Sequence, residues 1–487
     1  MKLNKTPFVI FFAAAMFYIL PIIAADRYFI DDYNRAFLGY LSWSDNGRPL
    51  ADVVMTLLNF NAIISDVSPL TQILGVASLF PILFFLMQTN VLSNVKLVAC
   101  ALCVLVTPFM LETLSYAYDS LPMLSSISLV FLPFCIKIKN KFIELLLHFL
   151  AIVFSLSLYQ ASIGIYVIVS LFSYTLKENK DKNGLIGLVL NALSFILGYA
   201  FYSKVIAKQF ISGGYSLNRA EFIDFTAIGG TEAFIKNIVK YFNFLMLGYP
   251  TPFLIISLLI SISGIVGIAI RSKEFINHES VFSKIAFAIT LLSPLLSFSM
   301  IIAPLSVLAN PPMMSRVLCS TGVVMMLFMS YSFRLNFIFS KMLTSTFAAL
   351  FMLYSFSTVY AYGNAQEKQK EFESDIISMM RNDVLLGDAE SFDIYGTAPT
   401  SPVSSLIVSQ HPIMEWLVLS NITFRDEWRT NITLSNFRFP LKYKAGAFPG
   451  DVSNPGCNFM IKPYNGIYTL FEKSGVIMFY FRRTCTE

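Results

Sequence analysis

The sequence predicts an α-helical polytopic membrane protein that ends in a small domain of mixed α and β structure. Of its 487 residues, 56% are hydrophobic and only 13% are charged, a balance too apolar for the surface of a soluble protein. The apolar residues also form blocks of the length that a hydrocarbon core of about 30 Å requires, roughly twenty helical residues. A polar composition after residue 362 predicts the separate domain.

The apolar blocks predict about eleven membrane-spanning helices. In chain order the blocks are 7–25, 68–88, 95–111, 121–136, 142–158, 162–176, 185–205, 251–270, 284–303, 317–333 and 342–362. The stretch 142–176 is interpreted as two short helices that meet near Gln160–Gly164. The first block could also be a signal peptide, but its length favours a retained helix.

Basic residues between the blocks lie on one side of the predicted membrane, as at Lys137, Lys139 and Lys141. Loops rich in Lys and Arg stay in the cytoplasm, so this side and the N-terminus are predicted to be cytoplasmic. The net charge of +5 is scattered, which argues against nucleic acid as a partner. Within a membrane domain of residues 1–362, the main extracytoplasmic loops are then the first, second, fourth and fifth, at 26–67, 112–120, 206–250 and 304–316.

The first loop opens with DRYFIDDYNR, which has five charged residues in ten positions. Each Asp or Arg at the centre of a bilayer costs about 2.5–3.5 kcal/mol, so the first helix must end near Ala25. Asp31 and Asp32 then lie just outside the membrane. One ionised Asp can act as a general base on a sugar hydroxyl while the other tunes its pKa or holds the substrate. The alternative is that the pair only marks the membrane boundary.

The same loop continues with NGRPL at residues 46–50. Pro49 suits the first turn of a helix, which would lie along the membrane interface and enclose the carboxylates. Aromatic and charged side chains in this loop, among them Trp43, Arg35 and Arg48, are those that carbohydrate binding requires. They favour an enclosed site over a boundary marker.

In the second loop, LETLSYAYDSLP spaces Glu112, Tyr116 and Asp119 by four and seven residues, which predicts one face of a helix. This face could bind an acceptor, or it could be a solvated loop with an interfacial Tyr. In the fifth loop, Arg316 could extend to the interface as an anchor or clamp a phosphate with its planar fork. Both pairs of alternatives remain open.

Other motifs carry less chemistry. Gly213-Gly214 in the fourth loop lacks the context of a phosphate-binding loop and predicts a flexible loop. The histidines are scattered, at His148, His278 and His411. Cys100-x-x-Cys103 lies within an apolar block, where small buried residues are expected. The sequence therefore predicts no metal site.

The C-terminal domain, residues 363–487, begins with the charged helix-like stretch AQEKQKEFESDIISMMRND and continues with strand-like runs such as SFDIYG and GVIMFYF. Its cysteines are Cys457 and Cys485. An odd number of spans places this domain outside the cytoplasm, where the two thiols can pair. The bridge would close a loop of 28 residues (485 − 457) and stabilise it by about 3–4 kcal/mol.

Three motifs, FIDDYNR, GRPL and LSYAYDS, resemble the type II serotype-converting glucosyltransferases, membrane enzymes often carried by temperate bacteriophages. The resemblance implies the C-type glycosyltransferase fold, with an acidic catalytic motif in the first external loop. It implies undecaprenyl-phosphate glucose as the donor and a rhamnose-containing O-antigen unit on a lipid carrier as the acceptor. It also implies the bacterial inner membrane, with the C-terminal domain in the periplasm.

The implied reaction is a single displacement with inversion that needs no metal or other cofactor. An Asp of the pair, Asp31 in preference, takes the acceptor proton, and cations stabilise the leaving phosphate. The implied roles are catalysis for Asp31 and Asp32; donor phosphate binding for Arg316, Arg35 and Arg48; and acceptor binding for Glu112, Tyr116, Asp119 and Trp43.

Two other classes of function compete with this interpretation. A transporter or flippase for a lipid-linked sugar would need charges along its spans, which are nearly free of them. An O-antigen acetyltransferase would need a catalytic His or nucleophile, and His148 is the one histidine in a predicted span. Neither alternative explains the acidic first loop.

Overall fold

The computed structural model describes residues 5–88, 92–176, 182–212, 214–273, 281–335, 338–385, 389–450, 452–453 and 455–484. Helices dominate this part of the chain. The helices of the first half are α1 (Thr6–Ala25), α2 (Asp32–Leu38), α3 (Pro49–Asn59), α4 (Leu70–Ser78), α5 (Phe80–Met87), α6 (Asn94–Leu102), α7 (Leu111–Ser115), α8 (Ser120–Cys135), α9 (Lys141–Leu158), α10 (Ile163–Leu176) and α11 (Lys182–Phe201). The helices of the second half are α12 (Lys208–Phe210), α13 (Gly214–Ala220), α14 (Gly230–Leu247), α15 (Thr251–Lys273), α16 (Val281–Ser306), α17 (Ser320–Ser332), α18 (Ile338–Val384), α19 (Pro402–Gln410) and α20 (Glu427–Asn436).

A five-stranded sheet lies near the C-terminal end. Its strands are β1 (Ser391–Tyr395), β2 (Lys442–Tyr443), β3 (Met460–Lys462), β4 (Thr469–Lys473) and β5 (Val476–Tyr480), in the order β2-β1-β5-β4-β3. β1 is parallel to β2 and β5, and β4 is antiparallel to β3 and β5. Ser474 and Gly475 both have positive φ, as a two-residue hairpin between β4 and β5 requires. The predicted strands SFDIYG and GVIMFYF are confirmed as β1 and β5.

The chain divides into two compact units. The helical unit holds residues 1–20 and 40–360, and the C-terminal unit holds residues 21–39 and 361–487. This division differs from the single boundary at residue 362 that the sequence predicts, because residues 21–39 pack with the polar C-terminal chain. Asp31 and Asp32 therefore belong to the C-terminal unit.

Within the described residues, seven helices are long and apolar enough to cross a membrane. They are Thr6–Ala25, Leu70–Met87, Lys141–Leu158, Gly184–Phe210, Thr251–Lys273, Val281–Ser306 and Lys341–Val384. The prediction of an α-helical membrane protein is confirmed. α1 ends at Ala25 and α3 begins at Pro49, as the sequence predicts. The break between α9 and α10 also confirms two helices in the stretch 142–176.

Four of the eleven predicted spans are not among these seven long helices, namely 95–111, 121–136, 162–176 and 317–333. The predicted span 95–111 is wrong as a continuous helix, since α6 ends at Leu102 and a separate turn begins at Pro108. Thr107 has ψ 150°, the extended backbone that a residue before proline prefers. In the block 317–333, α17 has only 13 residues, about 20 Å at the usual helical rise. The count of eleven spans therefore remains a prediction.

The predicted flexible loop at 206–250 contains helices, so the loop prediction is wrong for most of its length. α13 and α14 occupy Gly214–Ala220 and Gly230–Leu247. Asn237 and Tyr241 on α14 are buried and donate to backbone carbonyls of residues 306, 308 and 312. Gly213 lies outside the described residues.

Candidate functional site

The segment between α1 and α2 turns sharply before the two aspartates. Asp26 and Ile30 have φ angles of 44° and 42°. A β-branched residue such as Ile30 is strained in the left-handed region, and strain of this kind clusters at functional sites. The strained residue directly precedes Asp31.

Asp32 supports this turn from inside. Its side chain is fully buried, and its Oδ2 accepts a hydrogen bond of 3.2 Å from the backbone N–H of Phe29. It also lies in the first turn of α2, where a negative charge is stabilised by the helix dipole. Through these contacts, the Asp32 carboxylate stabilises the turn that precedes Asp31.

Asp31 is the accessible member of the pair. Its side chain is 42% exposed, and Oδ2 lies 3.9 Å from Nη1 of Arg35, which is itself buried. The two residues are one helical turn apart, with Asp31 at the N-cap of α2 and Arg35 within that helix. This pairing places the positive charge of Arg35 beside the negative charge that Asp31 needs if it is to act as a general base.

A buried ion pair holds the start of this segment in the C-terminal unit. Nη2 of Arg27 lies 3.0 Å from Oε2 of Glu373, and both side chains are almost fully buried. Arg27 also donates to Gln366 and to the carbonyl of Leu419. Asn421 donates to Glu373 through its backbone N–H and side-chain amide. The network gives both charged groups several hydrogen-bond partners, as a buried ion pair requires, although Nε of Arg27 has none among the described residues.

The electrostatics of this network favour the ionised pair. Burial is the largest single influence and opposes the charge of Arg27, but the attraction and hydrogen bond of Glu373, together with Tyr33 and Tyr362, raise the pKa of Arg27 above its ordinary value. Tyr33 accepts a hydrogen bond from Asn421, and burial raises the pKa of Tyr33 to about 12. Tyr33 is therefore a neutral phenol at physiological pH.

In the helical unit, the second predicted loop is buried rather than solvated. Every residue from 111 to 120 is buried. The prediction that Glu112, Tyr116 and Asp119 share one helix face is wrong, because α7 ends at Ser115 and Tyr116 has an extended backbone. α8 begins only at Ser120.

Glu112 and Tyr116 nevertheless converge on Arg316. Nη1 of Arg316 lies 2.7 Å from Oε1 of Glu112 and also bonds the hydroxyl of Tyr116. The backbone N–H of Arg316 and the hydroxyl of Ser315 donate to Oε2 of Glu112 at 2.9 and 2.8 Å. Arg316 therefore lies in a buried ion pair with a residue predicted to bind the acceptor.

Asp119 pairs with the first loop. Its Oδ1 accepts from Nε1 of Trp43 at 2.7 Å and from Nη1 of Arg48 at 3.1 Å. Trp43 is completely buried, and Asp52 on α3 accepts from its backbone N–H. The structure thus brings Trp43, Arg48 and Asp119 together.

The NGRPL motif forms the turn that positions Arg48 beside Asp119. Gly47 has a φ of 74°, which ends a short 3₁₀ turn over Ser44–Asn46, and Pro49 begins α3. The carbonyl of Gly47 accepts from the hydroxyl of Tyr202 at 2.8 Å. A Cβ on Gly47 would lie 2.8 Å from that hydroxyl. Only glycine suits both the backbone angle and the space.

Gly47→Ala is expected to lower the free energy of unfolding by about 1–2 kcal/mol, the cost of a left-handed backbone for an L-residue, and to displace Arg48. Thermal unfolding of the purified protein in detergent measures this change. Gly214→Ala is the control, since Gly214 has an ordinary φ and open space around it. Equal unfolding midpoints for the two variants would contradict the proposed role of Gly47.

The sequence interpretation missed Tyr159, which lies in the extended break between α9 and α10. Cζ of Arg48 lies 5.3 Å from the centre of its ring, and Arg316 is within electrostatic range. Nε of Arg48 and the Tyr159 hydroxyl are buried and have no hydrogen-bond partner among the described residues. The sequence feature that could have indicated Tyr159 is the polar run YQAS at residues 159–162, which interrupts an apolar stretch.

Residues considered for other chemistry lie in packed surroundings. Nδ1 of His148 bonds the hydroxyl of Tyr166 at 2.8 Å, and Phe134 packs edge-on against its ring. Cys100 and Cys103 are buried free thiols. In the part of the chain that the structure describes, no three His, Cys, Asp or Glu side chains group as metal ligands.

Of the two cysteines of the predicted disulfide, the structure describes Cys457. Cys457 is disulfide-bonded, at the start of a 3₁₀ turn before β3. Cys485 lies outside the described residues, so its pairing with Cys457 stays a prediction.

Comparison with known proteins identifies relatives. A family model described as glucosyl transferase GtrII matches residues 20–327. A protein of Salmonella phage P22, described as an uncharacterized 55.3 kDa protein in the gtrB 5′ region, is 30% identical over 438 residues, which are 86% of this chain and 88% of that protein. No solved structure matches.

Proposed function

Because this chain belongs to the GtrII glucosyl transferase family, we propose that it transfers glucose from undecaprenyl-phosphate glucose to a rhamnose-containing O-antigen unit on a lipid carrier. The reaction takes place at the periplasmic face of the bacterial inner membrane. The phage P22 relative is described as a protein of the gtrB 5′ region, and this genomic context supports a role in serotype conversion. The seven apolar helices support a donor whose tail lies in the bilayer.

The observation that carries this proposal is the Asp31 carboxylate, 42% exposed and beside Arg35. As a general base it accepts the proton of an acceptor hydroxyl while that oxygen forms a bond to the anomeric carbon of the donor. The bond between that carbon and the phosphate oxygen breaks, and undecaprenyl phosphate leaves. A single displacement of this kind inverts the anomeric configuration. Asp32 positions the base through the turn at Phe29.

The donor phosphate is assigned first to Arg48. Nε of Arg48 and the hydroxyl of Tyr159 are two buried N–H and O–H donors whose partners the described residues do not supply. Phosphate oxygens are acceptors, and hydrogen bonds from Arg to phosphate are among the strong ones. Arg316 remains a second phosphate ligand, and the Glu112, Tyr116, Asp119 and Trp43 side chains hold the acceptor.

Linkage analysis of O-antigen from cells with and without this gene tests the function. We expect a glucosyl branch on rhamnose that appears only when the gene is expressed. An acetyl group instead of glucose would replace the proposal with an acetyltransferase. No change in the O-antigen would contradict it.

Tyr159→Phe removes one hydroxyl and little else, so it isolates the donor contact. A hydrogen bond to a charged group contributes about 1.5–3 kcal/mol, and kcat/KM for the lipid-phosphate donor should fall by about tenfold to a hundredfold. Tyr166→Phe is the control, because that buried hydroxyl is bonded to His148. Unchanged donor kinetics in Tyr159→Phe would move the phosphate site away from Arg48.

A further inference from the structure

Three basic residues lie at one end of the helical unit. Lys96 is in the first turn of α6, Arg271 is in the last turn of α15, and Arg334 follows α17. α15 packs closely on α17, since a Cβ on Gly267 would lie 2.8 Å from the carbonyl oxygen of Tyr331. The helix ends that carry these cations are therefore neighbours.

Arg334 is the centre of this group. Its Cζ lies 5.7 Å from the centre of the Tyr331 ring. Its Nε and Nη2 are buried and have no hydrogen-bond partner among the described residues. Burial lowers the pKa of Arg334, and the nearby charge of Arg271 lowers it further. A cation in this position gains from an anion that accepts its hydrogen bonds.

Lys96 lies beside Arg334. Its Nζ is 5.1 Å from the centre of the ring of Phe333, the residue that precedes Arg334. Cys100, one turn further along α6, is within electrostatic range of both cations. No ion pair in the described part of the chain involves Lys96 or Arg334.

We propose that Lys96, Arg271 and Arg334 form a binding site for a phosphate group, and that its ligand is the headgroup of an anionic phospholipid. The planar guanidinium of Arg334 offers two adjacent N–H groups to phosphate oxygens, and Lys96 adds a point charge. The site does not depend on the proposed glucosyl transfer, and none of its residues has a role in that reaction.

The position of the site favours a lipid over soluble phosphate. The three cations lie where apolar helices end, which is the depth of the headgroups in a bilayer. Val95 and Ile270, next to Lys96 and Arg271, are 70% and 45% exposed. These side chains can contact acyl chains while the cations contact the phosphate.

Thermal unfolding of the full-length protein in neutral detergent tests the proposal. The probes are phosphatidylglycerol, phosphatidylcholine and inorganic phosphate, each titrated separately. A ligand that binds only the folded state raises the unfolding midpoint as its concentration rises. We expect phosphatidylglycerol to raise the midpoint by several degrees and phosphatidylcholine to have little effect.

Arg334→Gln should abolish the phosphatidylglycerol effect, and Lys96→Ala should weaken it. Lys141→Ala is the control, because Lys141 is an exposed cation already paired with Glu144, and it should respond as the unaltered protein does. If Arg334→Gln does not fold, Lys96→Ala alone decides the result. An equal effect of inorganic phosphate would support the site with a soluble anion as its ligand. The proposal would be overturned if the folded Arg334 and Lys96 variants responded as the unaltered protein does. It would also be overturned if neither anion changed the unfolding midpoint.

Discussion

Asp31→Asn is expected to reduce glucosyl transfer by at least about a hundredfold, because a positioned general base contributes roughly 10²–10⁴-fold to a rate. The amide keeps the size of the carboxylate and removes its ability to accept the proton. Abundance and unfolding midpoint should stay close to those of the unaltered protein, since the Asp31 side chain is 42% exposed and its contact with Arg35 is long. Initial rates with purified protein measure the effect.

Two neighbouring variants separate catalysis from folding. Asp26→Asn changes an 85% exposed carboxylate on the same segment and should keep full activity. Asp32→Asn alters a buried group that accepts from the backbone N–H of Phe29, so the unfolding midpoint should fall together with the rate. Full activity in Asp31→Asn would refute its assignment as the base.

Arg27→Ala is expected to lower the free energy of unfolding of the C-terminal unit by about 3–5 kcal/mol, because it leaves the buried charge of Glu373 uncompensated. Arg27 lies four residues before Asp31, so the rate should fall as well. The fluorescence of Trp416 and Trp428, both in the C-terminal unit, reports the unfolding.

Lys370→Ala provides a matched control between the same two segments. Lys370 pairs with Asp26, and both side chains are well exposed, so its loss should cost no more than about 1 kcal/mol. Glu373→Gln tests the same network from the other side, because it removes the charge and keeps one acceptor. If Arg27→Ala and Lys370→Ala unfold alike, the buried pair does not hold the segment.

The helical class and many helix ends could be predicted because each depends on local composition. Five charges in ten residues end α1 at Ala25, and Pro49 begins α3 as the sequence predicts. The predicted span at 95–111 failed between Leu102, where α6 ends, and Pro108, whose ring favours the extended backbone of Thr107. Hydropathy averages over a window and does not detect such a local break.

The candidate site was predictable as a set of residues but not as a set of contacts. Arg316 was predicted for the donor and Glu112 for the acceptor, yet the two form an ion pair. Their positions are far apart in the sequence, and only the packing of the helical unit brings them together. Tyr159 was missed for the same reason, since its meaning comes from the Arg48 guanidinium over its ring.

The most direct test of the proposed reaction uses the purified full-length protein in liposomes with a lipid-linked rhamnose acceptor. Undecaprenyl-phosphate glucose and a nucleotide-linked glucose are supplied in separate reactions, and the anomeric configuration of the product is read by nuclear magnetic resonance. We expect transfer only from the lipid-phosphate donor, a product of inverted configuration, and loss of product in Asp31→Asn. Transfer from the nucleotide donor, or retention of the anomeric configuration, would contradict it.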